Sequence, residues 1–330
     1  MDKKLHGVNL GGWLILEKWM TPELFNNLSA EDEFSLINEL GKDDAQILLE
    51  KHWQTFITKD DLIWIKNNGL NALRIPVGYW NFVEDEIFIS AKKYFDQLII
   101  WCNEIDLNVV IDLHGAPGSQ NGNDHSGRIG EINWHISPEN INQTLNVLEI
   151  IAKEYGSEKC VVGIELLNEP HWDIPLNKLK NFYIKGYEIV RQHSDIYVIM
   201  HDAFRPTEWK SYFKQHEMIN VLLDLHLYQC FAEWDKKLNM EGHLQKVEIE
   251  WKNMIVEIQE YVPVIIGEWS NDFSPYSLGD LNEEQLKENR KSYFETQKKV
   301  FEHAKGWFFW NFKINNEELK EYWSFKDITQ

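Results

Sequence analysis

The chain has 330 residues, 43% of them hydrophobic, with 33 basic against 53 acidic side chains and a net charge of -20. That charge repels the phosphate backbone of a nucleic acid and the anionic face of a membrane, so a neutral partner is expected. No apolar run is long enough to span a bilayer, and the 15 tryptophans serve either as core filler or as platforms for the C–H faces of sugars.

In chain order, a strand is expected over residues 5–12, where glycines let the backbone turn at its end and leave Glu17 close to a strand terminus. Helical signals follow from Ser29 and over 42–52. Residues 71–77 form the second apolar run, with Arg74 inside it, and a buried arginine needs a carboxylate nearby. Helix 94–104 then leads into strand 108–113, helix 140–155 into the strand from Val161, and helix 177–193 into strand 196–201. Strand 220–227 follows, then a helix over 244–260, the strand from Val262, a helix over 282–303 and a final strand over 306–311. Eight apolar strands alternating with helices predict parallel pairing through crossovers, closed into a single (β/α)8 TIM barrel that takes up residues 1–330.

Two strands end alike. Gly163-Ile164-Glu165-Leu166-Leu167-Asn168-Glu169-Pro170 runs from an apolar segment into a carboxylate stopped by proline, and Val264-Ile265-Ile266-Gly267-Glu268-Trp269 repeats the design. Active sites of this fold sit at the C-terminal ends of the strands, so His114, Asn168, Glu169, His201, His226, Tyr228, Glu268 and Trp310 are expected to ring one mouth. Paired carboxylates across a mouth can divide labour, one donating a proton to a leaving oxygen and the other attacking, as glycoside hydrolysis requires. A separation of about 5–5.5 Å gives retention and about 6.5–9.5 Å gives inversion. No cofactor or metal is expected: the first strand reads His6-Gly7-Val8-Asn9 without a His-x-His, and Cys102, Cys160 and Cys230 lack C-x-x-C spacing and read as reduced thiols. If Met1 is the native start, no signal segment follows Lys4 and the protein is cytoplasmic; if a leader was removed, it is secreted.

The motifs Gly7-Val8-Asn9-Leu10-Gly11-Gly12-Trp13, Met20-Thr21-Pro22, Leu73-Arg74-Ile75-Pro76, Asp112-Leu113-His114-Gly115-Ala116-Pro117-Gly118, Leu167-Asn168-Glu169-Pro170, His226-Leu227-Tyr228-Gln229, Ile266-Gly267-Glu268-Trp269 and the terminal Trp310 occur in order. Together they resemble glycoside hydrolase family 5, and within it the exo-β-1,3-glucanase subgroup. The resemblance implies a retaining mechanism with Glu169 as acid/base and Glu268 as nucleophile. It also implies that Asn168 binds the sugar 2-hydroxyl, that Arg74 and Tyr228 aim Glu268, and that His226 braces Glu169. His114 and Glu17 would bind hydroxyls of the non-reducing glucose, Trp310 would floor that subsite, Asp124 would add a polar sugar contact, and Phe231 would form one wall. The substrate implied is a neutral β-glucan or β-glucoside, and the protein is expected to be a monomer.

One loop departs from the pattern. It reads Asn123-Asp124-His125 where the subgroup carries an aromatic followed by Asp-Asn, so a β-glucosidase acting on short oligosaccharides stands beside a wall-glucan enzyme. An endo-β-1,4-glucanase or other family 5 glycanase, a metal-dependent barrel hydrolase and a non-catalytic carbohydrate-binding barrel are the alternatives. His201 reads as support for the site, and His125 and His135 as ordinary loop residues. Trp134, Trp172, Trp234 and Trp269 read as possible outer sugar platforms, and the acidic run 315–321 as a solvated face.

Overall fold

The eight apolar segments pair in sequence order into a closed parallel barrel: β1 (Leu5–Asn9), β2 (Ala72–Gly78), β3 (Asn108–Gly115), β4 (Val161–Glu165), β5 (Tyr197–His201), β6 (Val221–Gln229), β7 (Val264–Phe273) and β8 (Gly306–Phe309). The structure is a computed structural model and describes residues 3–273 and 281–329. The first crossover holds α1 (Glu33–Leu40), α2 (Lys42–Phe56) and α3 (Lys59–Asn67). Helices α4 (Lys92–Ile105), α5 (Pro138–Tyr155), α6 (Leu176–Arg191) and α7 (Lys210–Gln215) link the next strands in turn. Then come α8 (Met240–Gln245), α9 (Lys252–Ile258) and α10 (Glu283–Phe301), with α11 (Lys320–Trp323) and α12 (Phe325–Ile328) after β8. No helix among the described residues is long and apolar enough to cross a membrane.

Local chemistry explains where the helices differ from expectation. The helix signalled at Ser29 starts at Glu33, because Asp32 accepts from the Ser35 N–H at 2.7 Å and the Ser35 hydroxyl caps back, a reciprocal capping box. Thr58 and Asp61 make the same device for α3, which the sequence reading passed over. The helix expected over 244–260 is two α segments joined by a π turn, Lys246–Trp251.

The strands are Val-, Ile- and Leu-rich because helices cover the outer face while side chains fill the inner one. Leu5, Ala72, Val110, Val162, Ile199, Leu222, Ile265 and Phe308, one from each strand, close the lower part of the barrel as an apolar plug. Each large aliphatic in it contributes about 1.5–3 kcal/mol by leaving water. Side chains alternate along a strand, so two residues onward the same inner face continues. There Ala72, Val110, Ile199 and Leu222 give way to Arg74, Asp112, His201 and Asp224, all fully buried. The apolar plug thus supports a polar layer, and the polar layer supports the mouth.

On β7 the matching step is Ile265 to Gly267. A side chain there has no room: a Cβ on Gly267 would lie 1.9 Å from Asp224 Oδ2, while the Gly267 N–H donates to Asp224 Oδ1 at 2.6 Å. Gly267→Ala is therefore expected to destabilise the fold by about 1–3 kcal/mol or more through overpacking, and to displace the adjacent Glu268. Urea denaturation with parallel activity assays checks this; unchanged stability and turnover would contradict the close approach.

Candidate active site

Glu268 lies within β7 rather than at its end, since the strand continues to Phe273. Glu169 is four residues beyond the end of β4, not on it. Its φ of +41° is in the left-handed region that a side chain disfavours, so the surroundings must hold it there. They do: the Asn168 N–H donates to Leu113 O at 3.0 Å, Gln120 Nε2 to Asn168 O at 2.9 Å, and the His171 N–H to Gln120 O at 3.0 Å. This lacing to the segment after β3 turns the Glu169 carboxylate toward β6.

His226 joins the two glutamates. Its Nδ1 lies 2.6 Å from Glu169 Oε1 and 3.4 Å from Glu268 Oε2. Those two carboxylate oxygens are therefore separated by no more than the sum of the two distances, 6.0 Å, short of the range of about 6.5–9.5 Å that an interposed water needs.

Glu268 is also held from below. Oε1 accepts from Arg74 Nη1 at 3.0 Å, and Oε2 accepts from the Tyr228 hydroxyl at 2.9 Å. Arg74 is fully buried and uses every edge of its guanidinium: Nε donates to Glu165 Oε2 at 2.8 Å, Nη1 also to Asn9 Oδ1 at 3.0 Å, and Nη2 to Asn168 Oδ1 at 2.7 Å. Asp112 stands 3.2 Å away and Asp224 3.8 Å. Asn168 is fixed at its other end by His114, whose Nε2 faces the amide nitrogen at 3.3 Å and whose Nδ1 meets Asp112 at 2.5 Å. Chemically, the amide donates to Nε2 and the ring donates from Nδ1 to the carboxylate.

The charges follow from this packing. Burial works against a charged His226, yet Glu268, Asp224 and Glu169 outweigh it and hold the imidazolium well above its ordinary range. Burial likewise works against an ionised Glu169, but the hydrogen bond and charge of His226 hold that carboxyl below the usual carboxylate range. Glu165 goes the other way: burial raises it, Arg74 opposes, and Asp224 and Asp112 add to the rise.

The other predicted contacts reach the same mouth. Glu17 is buried after β1 and accepts from Trp19 Nε1 at 2.8 Å; burial and then the charge of Asp124, with smaller effects of Glu268 and Glu169, push its carboxyl well up. Trp310 stacks on His114 with ring centroids 5.6 Å apart and planes 15° from parallel. Gly11 lets it lie there, because a Cβ would meet the indole at 2.6 Å. Phe231 is exposed and packs edge-on to Tyr228 at 5.2 Å, beside Glu268. His201 sits under the site, its ring edge-on to His226 at 4.3 Å and its Nδ1 accepting from the Ala203 N–H.

Trp134 and Trp269 are fully buried, the first donating to Thr144 beside Phe182 and the second packed among Phe294, Phe301 and Phe309, so neither is a sugar platform. Trp172 and Trp234 are exposed in the loops after β4 and β6. His125 is no ordinary loop residue, since its Nε2 lies 3.5 Å from Glu169 Oε2. The buried carboxylates Asp112, Glu165 and Asp224 were not singled out at all. Alternation would have found two of them: stepping back by two from His114 gives Asp112, and from His226 gives Asp224.

Glu169, His201 and His226 bring ligand atoms within 4.8 Å of one another, as do Glu165, Asp224 and His226. Hydrogen bonds account for the first group and the Arg74 guanidinium for the second. A cavity of about 530 Å³ lies against the loop after β3, lined by Phe34, Tyr79, Phe88, Ser126 and Arg128 among others, and contains neither Glu169 nor Glu268.

A closed (β/α)8 barrel carrying two glutamates bridged by one histidine, with an indole stacked on a neighbouring ring, belongs to the class of barrel glycosidases. The family model for cellulase, glycosyl hydrolase family 5, matches residues 38–316, and the chain belongs to that family. It is 37% identical to a glucan 1,3-beta-glucosidase of Schwanniomyces occidentalis, covering 96% of this chain and 84% of that one. A glucan 1,3-beta-glucosidase of Blumeria graminis is 35% identical over 100% of this chain and 86% of its own. Among solved structures, the rutinosidase from Aspergillus niger shares the fold with a TM-score of 0.82 at 22% identity, covering 99% of this chain and 97% of that one. The protein is a glycosidase.

Proposed function

We propose that this glycosidase releases glucose from the non-reducing ends of β-1,3-glucans and short β-glucosides with retention, using Glu169 as acid/base and Glu268 as nucleophile. The observation that carries this reading is the His226 Nδ1 contact to both carboxylates, which keeps their facing oxygens within 6.0 Å. In the first step Glu268 attacks the anomeric carbon as the glycosidic bond breaks, and Glu169 passes a proton to the departing oxygen. In the second, Glu169 takes a proton from water, and the resulting oxygen nucleophile displaces Glu268. Arg74 and Tyr228 keep Glu268 ionised and aimed, while His114 and Arg74 orient Asn168 toward the 2-hydroxyl. The activity for which the relatives are named favours the β-1,3 linkage, and the stacked Trp310 offers a flat floor for one glucose.

Because His226 holds Glu169 ionised in the free site, the acid form is the minor one, and kcat/KM is expected to fall as pH rises from below the usual carboxylate range. Leaving-group chemistry tests the acid. Glu169→Ala should lose about 10²–10⁴-fold in kcat/KM on laminaribiose, with little loss on a 2,4-dinitrophenyl β-glucoside, whose leaving group needs no proton. Equal losses on the two substrates would remove Glu169 from that role. On laminarin, glucose alone from the first time points supports exo action; mixed oligomers refute it.

A further inference from the structure

With Glu169 Oε1 tied to His226, Oε2 is the oxygen left to face a leaving group, and it has a neighbour of its own. His125 lies in the short turn Asp124–Ser126 between β3 and α5, largely buried, with Nε2 3.5 Å from Glu169 Oε2. Its ring is edge-on to His114 at 5.2 Å. Nδ1 is buried with no hydrogen-bond partner among the described residues. A neutral imidazole has one N–H and one lone pair. Since Nδ1 has nothing to donate to, the proton belongs on Nε2, the nitrogen that lies 3.5 Å from the carboxylate.

The turn that presents the ring is fixed on both sides. The His125 N–H donates to Asp124 Oδ1 at 3.0 Å, the Ser126 hydroxyl donates to Asn123 O at 2.7 Å, and Ser119 Oγ meets Ser126 Oγ at 2.7 Å. Facing His125 are Glu169 from the segment after β4, His114 from β3, the adjacent Asp124, and Glu268 from β7. Glu169 in turn faces His226 from β6 and His201 from β5, and its charge reaches Glu17 after β1. Burial, aided by His114 and opposed by Glu169, leaves the His125 ring below its ordinary range and so neutral.

Taking Glu169 as the acid/base group, as proposed above, we infer that His125 is a positioning residue whose Nε2–H holds Oε2 and weights Glu169 toward the ionised form that takes a proton from water. It acts through Glu169 on both steps: it favours the ionised form that the second step needs, and it makes the protonated form the stronger donor in the first.

A hydrogen bond to the charged form lowers a carboxyl's proton affinity, so removing it raises that affinity. Two variants separate the N–H from the volume of the ring. His125→Phe fills the space without a donor, and His125→Gln keeps an N–H at similar reach. With laminaribiose, the alkaline limb of kcat/KM should move to higher pH by about half a unit or more in His125→Phe and stay in place in His125→Gln. On 2,4-dinitrophenyl β-glucoside, where the second step limits and needs Glu169 ionised, the acid limb of kcat should move to higher pH in His125→Phe alone. Should His125→Phe fail to fold, His125→Leu takes its place. A limb that does not move without the donor, or that moves as far in His125→Gln, overturns the role. Glu169→Ala run alongside keeps the two ideas apart: full activity there would overturn the acid/base role itself, whereas an inactive Glu169→Ala with an unmoved His125→Phe limb overturns only the role of His125.

Discussion

Glu268→Ala is expected to lower turnover of β-glucosides by about 10⁴-fold or more, as removal of a covalent nucleophile does when the rest of the site cannot substitute for it. Leaving-group activation should not help, because the lost step is attack itself. Here the two glutamates part company: an activated aryl leaving group spares Glu169→Ala and not Glu268→Ala. The fold should survive, since the side chain lies at the inner rim of the mouth, above the apolar plug, and Tyr228 and Arg74 keep other partners in the barrel. The vacated space has a donor on each side, Arg74 Nη1 and the Tyr228 hydroxyl. A small anion such as azide should enter it and attack from the face that Glu268 used, giving an α-glucosyl azide from a β-glucoside. Near-normal hydrolysis by Glu268→Ala, or a β-configured azide product, would exclude Glu268 as nucleophile.

The sequence made some parts of this site legible and hid others, for physical reasons. Strands buried on both faces announce themselves as unbroken aliphatic runs, and all eight were readable that way. Glu169 and Glu268 stood out because each interrupts such a run with a charge. Asp112 and Asp224 interrupt runs as well, but they sit mid-strand, where a charge reads as noise until alternation ties it to His114 and His226. Glu165 is harder to see, since the register shifts between β3 and β4 and breaks the count. His125 had no periodic signal at all: a loop side chain finds its target through turn geometry, here a helical turn of three residues pinned by Asn123 and Ser119. Trp134 and Trp269 failed in the opposite sense, because an indole that floors a sugar and one that fills a core are the same residue in sequence.

Arg74→Met should be the most damaging single change to stability. The guanidinium is fully buried and stands against Glu165, Glu268, Asp112 and Asp224 at 2.8, 3.0, 3.2 and 3.8 Å. Methionine fills much of the volume and leaves these carboxylates without their countercharge, which costs about 3–5 kcal/mol or more at neutral pH. The sign of the pH dependence follows from Glu165, whose carboxyl burial already raises while Arg74 opposes the rise. Removing Arg74 raises it further, so the folded variant binds more protons than its unfolded chain, and its stability falls as pH climbs above the unfolded carboxylate values of about 4. The deficit relative to the parent protein should therefore be small near pH 4.5 and large near pH 7.5, as read by urea denaturation at each pH. Adding Glu165→Gln to Arg74→Met removes one of the stranded charges and should recover part of the loss at pH 7.5 while changing little at pH 4.5. A deficit that does not depend on pH, or that Glu165→Gln leaves untouched, would mean that Arg74 acts through packing rather than as the countercharge of the layer beneath the two glutamates.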